Sequence, residues 1–262
     1  MKKIIIFLLL FLLLNGFQEG RPMAIEFTDD AGIVNVKWAT PAGVVGLTQK
    51  TVLIWYYADT NAPVIGGALF EISDGVGTDA DDYFYVSHRA TPKVLVRSHW
   101  SVSDGLWAST NEVLTVPGLN HIAVTYDGGA STNDAVIYVD GVSVAVSELA
   151  TPTGTYRNGT GSDAMIGSAF AGFNPDGKII SVLVYNRILS ASEILDAYNS
   201  RLAIPTYKGL VFAPLLVGAK GLQNFDGATL SASNLLIDEI NGITGTPSGN
   251  PVGRADTLLT LK

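Results

Sequence analysis

Apolar and polar side chains alternate along most of this chain. Ile33-Val34-Asn35-Val36-Lys37-Trp38 and His121-Ile122-Ala123-Val124-Thr125-Tyr126 follow the two-residue period of a half-buried strand. Thr51-Val52-Leu53-Ile54-Trp55-Tyr56-Tyr57 is dense enough in apolar groups to cross a core. Further strands are predicted at Ala68–Ile72, Tyr83–Val86, Val94–Arg97, Ala135–Val139, Val142–Val146, Ala164–Gly167 and Lys178–Tyr185. Asp140-Gly141 separates two of them and predicts a two-residue hairpin, whose turn positions need positive φ. Many short strands without intervening helices imply antiparallel sheets packed face to face. The expected fold is an all-β, two-sheet sandwich.

One segment departs from this rhythm. Ser190-Ala191-Ser192-Glu193 is a capping box, in which hydroxyl and carboxylate satisfy free N–H groups at a helix start. Ile194, Leu195, Ala197 and Tyr198 follow at partly helical spacing. A short surface helix near residues 190–200, closing the sandwich, is predicted.

Composition narrows the partners. In 262 residues there are 28 Gly and 11 Pro, 47% apolar and 15% charged residues, and a net charge of −8. One large sandwich, or one with a small appendage, suits that length. A nucleic-acid groove needs clustered Lys and Arg, and Lys2-Lys3 is the one basic run, so nucleic acid is not an expected partner. With no cysteine there is no disulfide framework, thiolate metal site or Cys nucleophile.

Residues 1–22 form a hydrophobic leader with two readings. Lys2-Lys3 followed by the apolar run Ile4–Leu14 has the form of a secretory signal, too short for a stable membrane span. Alternatively Met23 is the true start, since strand-like sequence begins at once with Ala24-Ile25-Glu26-Phe27. The first reading places the protein outside the cell, the second in a virion.

Four segments in order resemble the laminin-G-like jelly roll of the concanavalin A-like lectin/glucanase fold. They are Ala24–Asp30, His121–Gly128, the hairpin Val136–Val142, and Met165-Ile166-Gly167 with Gly177–Ser190. The resemblance covers about residues 24–200 and implies a jelly roll over residues 23–204. The C-terminal segment, residues 205–262, carries Lys208–Leu215 and Leu236–Thr246, which are similar to segments that usually open such a module. It reads as a permuted edge of the same sandwich or as half a module completed by another chain. The hazard of an unpaired apolar strand favours the first. This order of segments is similar to single-module proteins common in bacteriophage and marine viral sequences.

The fold that the resemblance implies hosts both hydrolases and binders, so specific residues must decide. Retaining glycosidases need two carboxylates about 5 Å apart. The related glucanases carry them as Glu-x-Asp-x-x-Glu on one strand. Glu71-Ile72-Ser73-Asp74 lacks the second Glu, so no catalytic residues are assigned and the chain is expected not to be an enzyme. Calcium needs several hard oxygen ligands. Asp74, Asp79, Asp81 and Asp82 in one glycine-containing loop are the candidate ligands, against the plainer reading of a solvated acidic turn. In the family's acidic position near its metal site this chain has Ser181.

Glycan binding would use exposed aromatics beside polar groups. Trp100 and Trp107, with His99 and Asp104, lie in a polar, loop-rich stretch from Ser98 to Asn111 and are the candidates. The plainer reading packs one or both Trp beneath a hairpin. Trp38 and Trp55 fall in strands and are expected in the core, and His121 is expected to be packed, whereas His88 and His99 are expected at the surface.

The leading expectation is therefore an extracellular or virion-surface adhesion module recognising a glycan or surface macromolecule. The alternative is a viral decoration or tail protein that assembles with itself or other virion proteins through sandwich edges and residues 205–262.

Overall fold

Along β3 (Gln49–Ala58) the side chains of Val52, Ile54 and Tyr56 enter the main core, while Leu53 and Trp55 join separate clusters on the other face. This alternation, repeated from strand to strand, builds two layers. The structure, a computed structural model, describes residues 23–27, 35–41, 43–59, 66–74, 82–201, 207–215, 237–238, 243–244, 246–248 and 252–255. The leader, residues 1–22, lies outside the described residues.

Sheet A runs β10 (Val142–Ser143), β9 (Val136–Val139), β8 (Gly118–Asp127), β3, β13 (Gly177–Tyr185), β1 (Met23–Phe27), β19 (Val252–Ala255), with β14 (Leu210–Phe212) also paired to β13. Sheet B runs β11 (Val146–Ala150), β7 (Gly105–Ser109), β6 (Val94–Ser98), β5 (Asp82–His88), β4 (Gly67–Ser73), β12 (Asp163–Gly167), β2 (Asn35–Trp38), β18 (Thr246–Ser248). The pairings within both sheets are antiparallel. A small third sheet holds β15 (Pro214–Leu215), β16 (Ile237–Asp238) and β17 (Ile243–Thr244). The result is an all-β, concanavalin A-like sandwich with, among the described residues, one helix.

The core lies between the sheets. Val52, Ile54 and Tyr56 of sheet A meet Phe70, Ile72 and Phe84 of sheet B. Phe212 of β14 meets Trp38 edge-on, with ring centroids 5.3 Å apart. Each side chain of this size contributes about 1.5–3 kcal/mol by leaving water.

Local chemistry accounts for two elements. Asp140 and Gly141 have φ of 51° and 80°, and Val139 pairs with Val142 across the turn they make. The capping box closes α1 (Ala191–Asn199): Ser190 Oγ accepts from the Glu193 N–H, and Glu193 accepts from the Ser190 N–H at 2.9 Å. Arg187 also donates to Glu193, and chiefly for that reason the Glu193 carboxyl is held down at about 2. Ile194 and Ala197 of the helix pack with Leu53, Ala123 and Leu183 on the outer face of sheet A.

Two predicted elements differ. The strand expected over Val142–Val146 breaks after Ser143, and the chain crosses to sheet B as β11. The stretch read as loop-rich from Ser98 to Asn111 contains β7, which pairs with β6 on one side and β11 on the other. Gly, Ala and Ser at three of its five positions hide the strand from propensity. Among the described residues no helix is long and apolar enough to cross a membrane.

Candidate functional site

Strand alternation sets the site. Val94 and Val96 of β6 point into the core, so Arg97 points the other way, at the end of sheet B. The chain then turns through residues 99–104 and returns as β7. Asp104 holds this turn closed. Its Oδ2 accepts from Arg97 Nη2 at 2.6 Å and Nε at 2.9 Å, and its Oδ1 accepts from the Trp100 N–H at 3.0 Å. His99 Nδ1 lies 2.7 Å from Asp104 Oδ1. Burial alone would raise the Asp104 carboxyl. The bonds from Trp100 and Arg97, with the nearby charges of Arg97 and His99, hold it below its usual range.

A second segment, residues 151–157, lies along the turn. Ser101 N–H donates to Thr155 O at 2.9 Å, Thr153 N–H to Ser103 O at 2.9 Å, and Arg157 N–H to His99 O at 3.0 Å. Gly154, with φ of +95°, is what lets them approach. A Cβ there would lie 2.4 Å from Ser101 Oγ and 3.1 Å from the Val102 amide nitrogen.

Between turn and segment is a cleft of about 340 Å³, lined by Arg97, His99, Trp100, Ser101, Val102, Asp104 and Arg157. Val102, 77% exposed, gives its rim an apolar surface. The exposed Arg157 has no carboxylate or other side-chain partner among the described residues.

The floor beneath is aromatic. Trp100 Nε1 donates to the Tyr126 hydroxyl at 3.0 Å, and Trp100 also meets Tyr156 with centroids 5.4 Å apart. Lys50 enters this cluster from β3 with no exposed surface. Its Nζ donates to the Tyr156 hydroxyl and sits 4.8 Å from the Phe84 ring centroid and 5.1 Å from that of Tyr156. Burial lowers the Lys50 pKa to about 7 and pushes the Tyr156 hydroxyl up.

Of the residues singled out for glycan contact, the structure brings Trp100, His99 and Asp104 to one cleft and separates Trp107 from it. Both Trp are corrected as exposed stacking platforms. Trp107 has no exposed surface; it faces the core from β7, and its Nε1 donates to Asp134 Oδ1 at 2.9 Å. Trp100 is 5% exposed, so it walls the cleft by an edge. His99 is 9% exposed and His88 fully buried, not surface groups. Trp38, Trp55 and His121 are buried as expected. Sequence reading missed Arg97, Ser101, Val102 and Arg157. Arg157 carries no local signal, because the contacts that bring it here span more than fifty residues of chain.

The acidic loop falls only partly within the described residues. Asp74 is exposed, and Asp82 opens β5. Asp79 and Asp81 lie outside the described residues. Among the described residues no three His, Asp or Glu side chains form a metal-holding group.

Known structures share the fold at low identity. A protein from Bacteroides ovatus proposed to bind carbohydrate matches with a TM-score of 0.58 and 16% identity over 89% of this chain and 62% of its own. The chain thus spans less than two thirds of that protein. The CBM40 module of a Ruminococcus gnavus IT-sialidase, solved with α2,3-sialyllactose, matches with a TM-score of 0.52 and 16% identity over 67% of this chain and 96% of the module. A heptameric SAP-like pentraxin from Limulus polyphemus matches with a TM-score of 0.50 and 11% identity over 74% of this chain and 89% of its own. These likenesses concern the fold. No curated protein matches the chain in sequence. A laminin-G-type family model, described as the concanavalin A-like lectin/glucanases superfamily, matches residues 35–195, well over half the chain. With the two-sheet topology, that match makes the chain a member of the concanavalin A-like lectin/glucanases superfamily.

Proposed function

We propose that this chain is a non-catalytic glycan-binding module that takes sugar in the cleft between residues 97–104 and 151–157. The observation that carries the reading is the cleft itself. Its volume of about 340 Å³ is that of a small-ligand site, and its polar groups converge on one space beside the apolar rim of Val102. Backbone bonds and the Asp104 network hold both walls in place before any ligand arrives, which lowers the ordering cost of binding. Its relatives in fold support the reading: one is proposed to bind carbohydrate, and another was solved with a sialylated sugar.

The test is a glycan array, with calcium and again with a chelator. Specific binding is expected for the wild type. Ser101→Tyr, which fills the cleft, should abolish it, while Leu195→Ser on the exposed side of α1 should leave it unchanged. Loss of binding in chelator would make the loop carrying Asp74, Asp79, Asp81 and Asp82 a calcium site. A folded protein that binds nothing on the array and forms a symmetric oligomer would overturn the reading in favour of a structural assembly role.

A further inference from the structure

We infer that the cleft selects anionic sugars, with the carboxylate or sulfate of the ligand held by the Arg157 guanidinium. This inference rests on the glycan-binding reading and narrows its ligand class.

The argument begins with charge. The chain has 24 acidic against 16 basic residues, so carboxylates to pair with a surface arginine are plentiful. Most neighbouring cations of the sandwich have found one. Lys37 pairs with Asp163 at 3.1 Å, Lys178 with Asp59 at 2.8 Å, and Arg187 with Glu193. Arg97 pairs with Asp104 inside the cleft. Arg157 lines the same cleft, and its guanidinium meets no acceptor among the described residues. Arg201 and Lys208 also lack a side-chain acceptor among the described residues, but they belong to the far layer. The Arg201 carbonyl accepts from Trp55 on the outer face of sheet A, and the Lys208 carbonyl accepts from Arg187.

Donor balance leads to the same class of ligand. Asp104 is the carboxylate of the cleft lining among the described residues, and both its oxygens are already engaged by Arg97, the Trp100 amide and the contact with His99. Arg97 offsets its charge, and among the described residues Arg157 is the cation of the cleft lining that meets no carboxylate. A neutral sugar presents hydroxyls that must both donate and accept. A cleft rich in donors, with its carboxylate committed, favours a ligand whose recognised group only accepts. A planar guanidinium meets a carboxylate or sulfate through two parallel N–H bonds, which a lysine does not reproduce. The exposed Val102 beside it offers apolar surface to the C–H face of the ring carrying that group.

The experiment is a calorimetric titration of the full chain with lactose, 3′-sialyllactose and 3′-sulfolactose, which share a neutral core. The expected result is that at least one acidic sugar binds about tenfold or more tightly than lactose, the scale of a charge-assisted hydrogen-bonded pair. The two acidic arms separate carboxylate from sulfate. Arg157→Gln should bring the acidic sugar down to the level of lactose, and Arg157→Lys should restore part of the difference. Equal binding of all three sugars, blocked by Ser101→Tyr, would overturn the anionic preference and leave the glycan-binding reading standing. An acid preference unchanged in Arg157→Gln would overturn the assignment to Arg157. Binding of none of these sugars by a protein that binds a neutral glycan on the array would sink the inference alone. A protein silent in both assays would sink the inference and the reading it rests on.

Discussion

Lys50 and Arg157 lie on two sides of one tyrosine and follow opposite rules. Each carries a cationic head without a carboxylate partner among the described residues. Lys50 is sealed among Phe84, Tyr156 and the floor of the cleft, where burial brings its pKa to about 7. Arg157, one residue beyond Tyr156, stands exposed at the rim. A sealed cation costs stability whenever it is charged, whereas an exposed one costs almost nothing and stays available to a ligand. The floor should therefore report in unfolding experiments and the rim in binding experiments.

The comparison can be broken from the floor upward. Trp107→Ala removes a side chain with no exposed surface that packs 5.1 Å from the Tyr126 ring, and should cost about 3–5 kcal/mol in urea unfolding. A cost below about 1 kcal/mol would mean that the floor is not close-packed.

Lys50 should show itself through pH. Its pKa falls from 10.5 in the unfolded chain to about 7 in the folded one. The unfolded state thus holds the extra proton between those values, and stability from this group is complete above pH 10.5 and lost progressively as pH falls from there to about 7. Between pH 7 and 9 the wild type should gain about 2 kcal/mol relative to Lys50→Met, measured by denaturant unfolding at each pH. Parallel curves for the two proteins would show that Lys50 is not sealed. Burial also lowers His88 and His121 to about 4, so they erode stability in the same direction, but between pH 6.5 and 4, outside the lysine's window.

Asp104 sits between floor and rim. Asp104→Ala removes the carboxylate that accepts from both Arg97 and the Trp100 amide and should cost about 1–2 kcal/mol, with a loss of glycan binding as the turn loosens. Arg157→Ala, the smallest of the series in stability, should shift unfolding by less than about 0.5 kcal/mol while weakening acidic-sugar binding. A large stability loss there would place Arg157 with the floor.

What could be read in the sequence was whatever local chemistry decides. Asp140-Gly141 and Ser190–Glu193 fix a turn and a helix start by contacts within four residues, and both formed as expected. The alternation along β3, β8 and β13 likewise marked the core strands. Decisions made by distant partners stayed hidden. Val142–Val146 is one apolar-alternating run, yet its halves serve different sheets. Trp107 lies in a segment too polar and small to read as a strand, and its pairing with β6 and β11 turned it inward. Trp100, His99 and Asp104 could be grouped from sequence because one turn carries them. The wall opposite, ending in Arg157, comes from a segment placed by bonds to a distant part of the chain and by Gly154.

The most direct measurement is mapping of backbone amide NMR shifts as 3′-sialyllactose is added to the full chain. The account predicts saturable shifts concentrated in residues 97–104 and 151–157, with α1 and the outer face of sheet A unmoved. Saturable shifts centred on α1 or sheet A, with the cleft silent, would contradict it.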